Sequence, residues 1–284
     1  MRKDISHNQR MWLAFVRNRT AIAGGVIALL IFMTAIFAPW IAPYDPLDQD
    51  PLFRLEPGNE EHWLGTDDYG RDVLSRLVWG SRISLVIGFA SVLIGMVAGT
   101  ALGMIAGYYR GRVESLIMRG IDVVMSFPDL ILAVAITAAL GATLFNLVVT
   151  IGIVMTPGFA RMAHSALLSM REREFVLAAR SIGARDRRIL FKHILPNIFG
   201  ELLVAATLWV GVAIRLEANL AFIGLGVQPP TATWGNMIRE GVDVLINAPG
   251  ISVYSGLCIL VTILAFNMLG DGVRDMIDPR LRGI

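Results

Sequence analysis

Apolar residues gather into six long runs along the chain, and nearly all the charge sits between them. The runs cover about Thr20–Ile41, Ile83–Tyr108, Ile121–Leu140, Leu144–Met162, Ile198–Leu225 and Ile251–Leu269. A bilayer core about 30 Å thick takes roughly 20 apolar residues of helix to cross. The pattern therefore predicts an all-α membrane protein with six transmembrane helices. Only Gly141, Ala142 and Thr143 separate the third and fourth runs, so a tight hairpin is expected there. Pro128 and Pro157 fall inside those two runs and predict kinks, which a bundle lining a passage tolerates. In the second run Gly95, Gly99, Gly103 and Gly107 recur every four residues, which places them on one helix face. Close packing inside the subunit is the first reading of that stripe; a special dimerisation face is the second.

Composition agrees with the pattern. Of 284 residues 55% are hydrophobic and 17% charged, against about 25% charged in soluble domains. Charge at the bilayer centre costs several kcal/mol, which explains the segregation. Positive residues mark the cytoplasmic side. The leading tail carries Arg2, Lys3, Arg10, Arg17 and Arg19 against Asp4, whereas the segment after the first run is strongly acidic, from Asp45 to Asp72. Arg110, Arg112 and Arg119 follow the second run, and a long basic stretch from Arg161 to Lys192 follows the fourth. These loops predict both termini in the cytoplasm. No A-x-A cleavage site follows the first run, so a retained signal-anchor helix is expected. One cysteine, Cys258, and four scattered histidines offer neither a disulfide framework nor metal-ligand spacing. The expected location is a membrane, with lipid around the chain and no nucleic-acid partner.

The stretch from Arg173 to Asn197 carries the most specific signal. Glu174–Ile182 reads as a short amphipathic helix with Phe175, Ala178, Ala179 and Ile182 on one stripe. Gly183 ends or turns it. A second helix over about Asp186–Ile194 shows Ile189, Leu190 and Ile194 on one face, and Pro196 is expected to stop it. The bland alternative is a basic segment resting on anionic lipid. The spacing, however, resembles the E-A-A, three residues, G, nine residues, I-x-L-P loop of ABC importer permeases. Here it falls on Ala178, Ala179, Gly183, Leu195 and Pro196, with Leu177 in place of the acidic residue and His193 in place of the isoleucine. Three further segments resemble C-type permease subunits of the dipeptide, oligopeptide and nickel family. They are H-W-L-G-T-D-D-Y-G-R-D-V-L-S-R-L from His62, A-N-L-A-F-I-G-L-G-V-Q-P-P-T-A-T-W-G from Ala218, and F-N-M-L-G-D-G-V-R-D-M-I-D-P-R from Phe266.

The resemblance covers nearly the whole chain and implies a type I ABC importer permease, multi-pass in a bacterial inner membrane. Residues 1–80 would hold the N-terminal tail, the first transmembrane helix and an acidic periplasmic loop. Residues 81–271 would form the permease domain, with a cytoplasmic coupling loop at 163–197, and 272–284 a cytoplasmic tail. The implied partners are a homologous second permease, two ATPase subunits, and a periplasmic or lipoprotein solute-binding protein facing the loop from Tyr44 to Trp79. The coupling residues would be Glu174, Ala178, Ala179, Arg180, Gly183, Leu195 and Pro196. The chain itself would bind no cofactor, ATP and magnesium residing on the ATPase subunits. In accord, it contains no G-x-x-x-x-G-K-[ST] motif, and no G-x-S-x-G or H-E-x-x-H signature of an intramembrane enzyme. The rival transport class is an ion-gradient-driven secondary transporter or channel, but such carriers are commonly built from inverted repeats and none is visible.

Arg215, Glu217 and Asn219 interrupt the fifth run and are pathway candidates, since ionisable residues in a membrane helix face the bundle interior or water. Structural hydrogen bonding is the equal alternative. Asp122, Asp129, Asn146 and Asn267 lie near span ends, where capping or interfacial solvation is expected.

Overall fold

The computed structural model describes residues 18–277. The tail residues Arg2, Lys3, Asp4, Arg10 and Arg17, used above for orientation, and Asp278 and Arg280 at the other end lie outside the described residues. Eleven α-helical segments make up most of the described chain: α1 (Arg19–Ile36), α2 (Ala38–Ile41), α3 (Val73–Tyr109), α4 (Gly111–Met125), α5 (Asp129–Leu140), α6 (Leu144–Arg171), α7 (Glu174–Ser181), α8 (Asp186–Arg188), α9 (Leu195–Phe222), α10 (Trp234–Asp243) and α11 (Gly250–Ile277). Five are, alone or in continuation, long and apolar enough to cross a membrane; α4 and α5 reach that length and apolarity only together, as a bent pair that is either a broken span or a re-entrant segment.

Helix starts follow local chemistry. Asn18 accepts from the Thr20 and Ala21 backbone N–H groups, Asp72 from Ser75, and Thr143 from Asn146. Each satisfies a donor that has no partner within the first helical turn. The Asn146 side chain then donates to the Leu140 and Gly141 carbonyls at 2.6 and 3.0 Å, closing the expected hairpin between α5 and α6.

The third crossing departs from the expected kink. It breaks between Met125 and Asp129, and its halves meet at 93°. Pro128 has no N–H to donate and forces Phe127 out of helical geometry. Ser126 turns its hydroxyl back onto the Val123 carbonyl at 2.6 Å. The twelve residues of α5 reach about 18 Å at 1.5 Å per residue, short of a full crossing. Pro157, by contrast, sits inside α6, which continues through it.

The glycine stripe of α3 lies against α6, and this is the most extensive helix pairing among the described residues. Gly95 faces Met155, Gly99 faces Thr156 and Phe159, Gly103 faces Ala160, and Gly107 faces His164 and Leu167. The stripe therefore serves packing inside the subunit. Around this pair sit buried Leu147, Ile151, Phe159, Ile87, Ile214 and Leu202. Phe32 of α1, Phe89 of α3 and Phe266 of α11 meet at centroid distances of 5.1–6.1 Å and tie the first span to the bundle. On α4 and α5, only Ile121, Ala133 and Thr137 are buried.

Candidate functional site

The basic loop folds into a knob. Glu174 lies in the first turn of α7 and Arg180 in the last, the arrangement the helix dipole favours. Val176 and Ala179 point inward and are buried. Phe175, Leu177, Ala178 and Ile182 point outward, Ile182 being 84% exposed. The expected stripe is therefore split. A helix of two turns has room for one inward pair, and Val176 fills the place given above to its neighbours. What remains is an apolar face turned to solvent.

That face ends on Gly183. Its φ of +75° is a left-handed conformation that costs a side-chain-bearing residue about 1–2 kcal/mol. Ala184 N–H donates to the Ala179 carbonyl at 3.0 Å and Gly183 N–H to Arg180 at 2.9 Å, a Schellman closure. A Cβ built on Gly183 meets nothing within 4 Å, so the turn is bare. Past it, Ile189, Leu190 and Ile194 are buried, matching the predicted face. Pro196 does not stop this helix: Ile189–Ile194 forms a π turn and runs directly into α9, with Leu195 half-buried and Pro196 exposed at its second position. Proline is tolerated in a first helical turn, and the wider π turn continues the chain into it.

Two contacts fasten the knob to the membrane helices. Tyr108, buried at the end of α3, donates its hydroxyl to Asp186 Oδ1 at 2.6 Å. The Arg180 guanidinium lies 5.3 Å from the centre of the same ring. Tyr108 escaped the sequence reading, because an aromatic at a span end signals only a membrane interface.

The residues Arg215, Glu217 and Asn219 do not form one group. Arg215 and Asn219, four apart, are exposed on one face of α9, while Glu217 is fully buried on another. Glu217 Oε1 accepts from Thr233 Oγ1 at 2.9 Å, and Oε2 has no partner among the described residues. Thr233 also caps α10 by accepting from Asn236 N–H, so Glu217 ties the fifth span to the start of α10.

Helix α10 lies in the segment between the fifth and sixth apolar runs, where no helix is predicted above. Its Trp234 indole donates to the Leu77 carbonyl at 3.0 Å. Its Glu240 closes a box of charges with the acidic loop: Arg71 Nε lies 2.7 Å from Asp67 and Arg71 Nη2 3.2 Å from Glu240. Arg76 hydrogen-bonds Asp67 and brings Nη2 within 2.8 Å of Glu240 Oε2, off line for a second hydrogen bond. Two cations face two anions, and the three residues from the loop side are nearly buried. The segments quoted from His62 and from Ala218, far apart in sequence, thus meet on one side of the bundle.

Residues 99–283 match the family of binding-protein-dependent transport system inner membrane components. Residues 6–57 match the N-terminal transmembrane domain of oligopeptide transport permease C. A glutathione transport system permease protein of Pectobacterium atrosepticum is 42% identical over 96% of this chain and 91% of its own. A dipeptide transport system permease protein of Alkalihalophilus pseudofirmus is 42% identical over 94% and 88%. A di/tripeptide transport system permease protein of Pseudomonas aeruginosa is 44% identical over 96% and 92%. Among solved structures, a chain of the MetNI methionine ABC transporter in an inward-facing form superposes with a TM-score of 0.60 at 22% identity, over 71% of this chain and 96% of that one; that likeness speaks to the fold.

Proposed function

The chain belongs to the binding-protein-dependent transport system inner membrane components, and from that premise we propose that α7 and the Gly183 turn are where an ATPase subunit docks. The protein is a multi-pass permease subunit of a bacterial ABC importer for peptides or a related small solute. ATP is hydrolysed on a separate subunit, and a solute-binding protein is the other implied partner. This family assignment favours ATP-driven import over the ion-gradient carrier.

The observation that carries the docking site is the outward apolar face of Phe175, Leu177, Ala178 and Ile182, ending on a bare glycine. Apolar surface in an aqueous loop marks an interaction site, and the basic residues around it steer an acidic partner. Glu174 and Arg180 flank the face, and Leu195 and Pro196 join the knob to α9. Two ATPase subunits, each with ATP and magnesium, would serve this permease and a homologous second one. Arg215 supports that second subunit: it lies seven residues from the end of α9, about 10 Å by helical rise, and a charge there must face water or protein. With Asn219 it is assigned to the pathway between the two permeases, and Glu217 to structure.

The test is co-purification of ATPase activity with the tagged, co-expressed subunit. Gly183→Asp should insert normally yet lose most of that activity and all uptake. Ile182→Asp, which carries no left-handed strain, should do the same. Normal uptake in both variants would place the contact elsewhere.

A further inference from the structure

A groove of about 540 Å³ runs along the bundle between α3 and α9 and ends against the second half of the knob. Val97, Ala101 and Ile105 of α3, Phe191 of the knob, and Phe199 and Leu202 of α9 line it. Val97, Ile105, Phe191 and Phe199 stay exposed although they are large and apolar. Apart from the Thr100 hydroxyl, the polar groups of the groove gather at one end, where Tyr109 and Arg187 close it. Arg187 is exposed and makes no ion pair with any described residue. The two consecutive tyrosines of α3 have separate tasks: Tyr108 fastens the knob through Asp186, and Tyr109 borders the groove.

From Val97 to Tyr109 the helix rises about 18 Å at 1.5 Å per residue. That is close to half the thickness of a bilayer of about 40–45 Å, headgroups included. A tyrosine at the polar end stands where headgroups meet the apolar core. The second permease is assigned above to another face of α9, the one that carries Arg215 and Asn219. Sixteen residues separate Phe199 from Arg215 and twenty separate it from Asn219, which puts both about 160° away at 3.6 residues per turn. The groove therefore turns away from that subunit and toward lipid. Resting on that assignment, we propose that the groove holds an anionic phospholipid, with an acyl chain between α3 and α9 and its phosphate on Arg187. A guanidinium meets phosphate oxygens through paired N–H donors, and basic pockets between spans bind anionic headgroups. The two readings of the basic stretch then divide between its halves: α7 takes a protein, and Arg187 a lipid.

The complete transporter, purified in detergent, is titrated with phosphatidylglycerol or phosphatidylcholine, and bound lipid is counted by native mass spectrometry. The wild type should hold phosphatidylglycerol at least fivefold more tightly than phosphatidylcholine. Arg187→Gln should lose that preference, and Arg187→Lys should keep half or more of it. Ala101→Trp fills the groove and should weaken both lipids at least fivefold. Arg185 is exposed on the same knob and does not line the groove, so Arg185→Gln should stay within twofold of wild type. Equal losses in the Arg185 and Arg187 variants would mean attraction to a basic surface and overturn the site. A preference that survives Arg187→Gln, or a wild type without one, overturns it too. If Ala101→Trp instead expels the second permease from the purified complex, the groove is a subunit contact, and the assignment of the Arg215 face to that subunit falls with the lipid site. With the second permease retained, a missing preference overturns the lipid site alone.

Discussion

The cost of a single methyl group separates the glycines of this chain. At Gly103 a Cβ would overlap the Ala160 carbonyl oxygen and come 2.9 Å from the His164 nitrogen, both backbone atoms that cannot rotate away. Overpacking of this kind costs typically 1–3 kcal/mol. At Gly256 a Cβ meets nothing within 4 Å, and such substitutions stay within about 0.5 kcal/mol. Gly103→Ala should therefore lower the thermal midpoint in detergent clearly, and Gly256→Ala should not. Equal midpoints would mean that the α3–α6 contact is looser than its geometry. The four-residue glycine spacing made this contact legible in the sequence, since it names a face. The spacing names the face but not the atoms each glycine meets, and it says nothing of Gly183, which stands outside any such stripe.

At the level of elements, long apolar periodicity marks the spans, whereas proline marks a bend at Pro128 but not its size, and misleads at Pro196. Pro128 and Pro157 look alike in sequence, yet one breaks its helix by 93° and the other is carried through. Pro196 opens a helix it was expected to close. The outcome depends on whether neighbouring helices hold the chain on both sides of the ring, and α4 and α5 are barely covered while α6 is enclosed. Helix α10 stayed hidden because its partners are distant in sequence: Leu77 for Trp234, and Arg71 and Arg76 for Glu240. The knob hangs on comparable long-range contacts. Tyr108 joins it to α3, and α3 is locked to α6 by the glycines, so a push on α7 reaches two spans as one body. Tyr108→Phe keeps the ring under Arg180 and removes only the bond to Asp186, a charge-assisted bond of about 1.5–3 kcal/mol when well buried. Since Asp186 is exposed, the effect should be at the low end: solute moved per ATP falls threefold or more while the amount of assembled complex is unchanged. An unaltered ratio would show that the knob transmits motion through α9 alone.

The whole molecule poses the question of which way it sits. Arg2, Lys3, Arg10 and Arg17 lie outside the described residues, but Arg110, Arg112 and the acidic loop are placed by the fold. The box of Asp67, Arg71, Arg76 and Glu240 gathers the acidic loop and α10 on one side of the bundle. Arg110, Arg112 and the knob come from the opposite ends of α3 and α6. A short basic loop resists translocation, whereas acidic residues contribute little to orientation, and on that ground we propose that the knob side is held in the cytoplasm. Only this orientation lets an ATPase meet α7 and a binding protein meet the acidic loop. In a Cys258→Ala background, Glu60→Cys and Arg112→Cys each place one thiol at an exposed position on opposite sides. In right-side-out membrane vesicles, an impermeant maleimide should label position 60 at once and position 112 only after permeabilisation. The reverse pattern would put the knob outside, where no ATP is available, and would remove the docking site at Gly183.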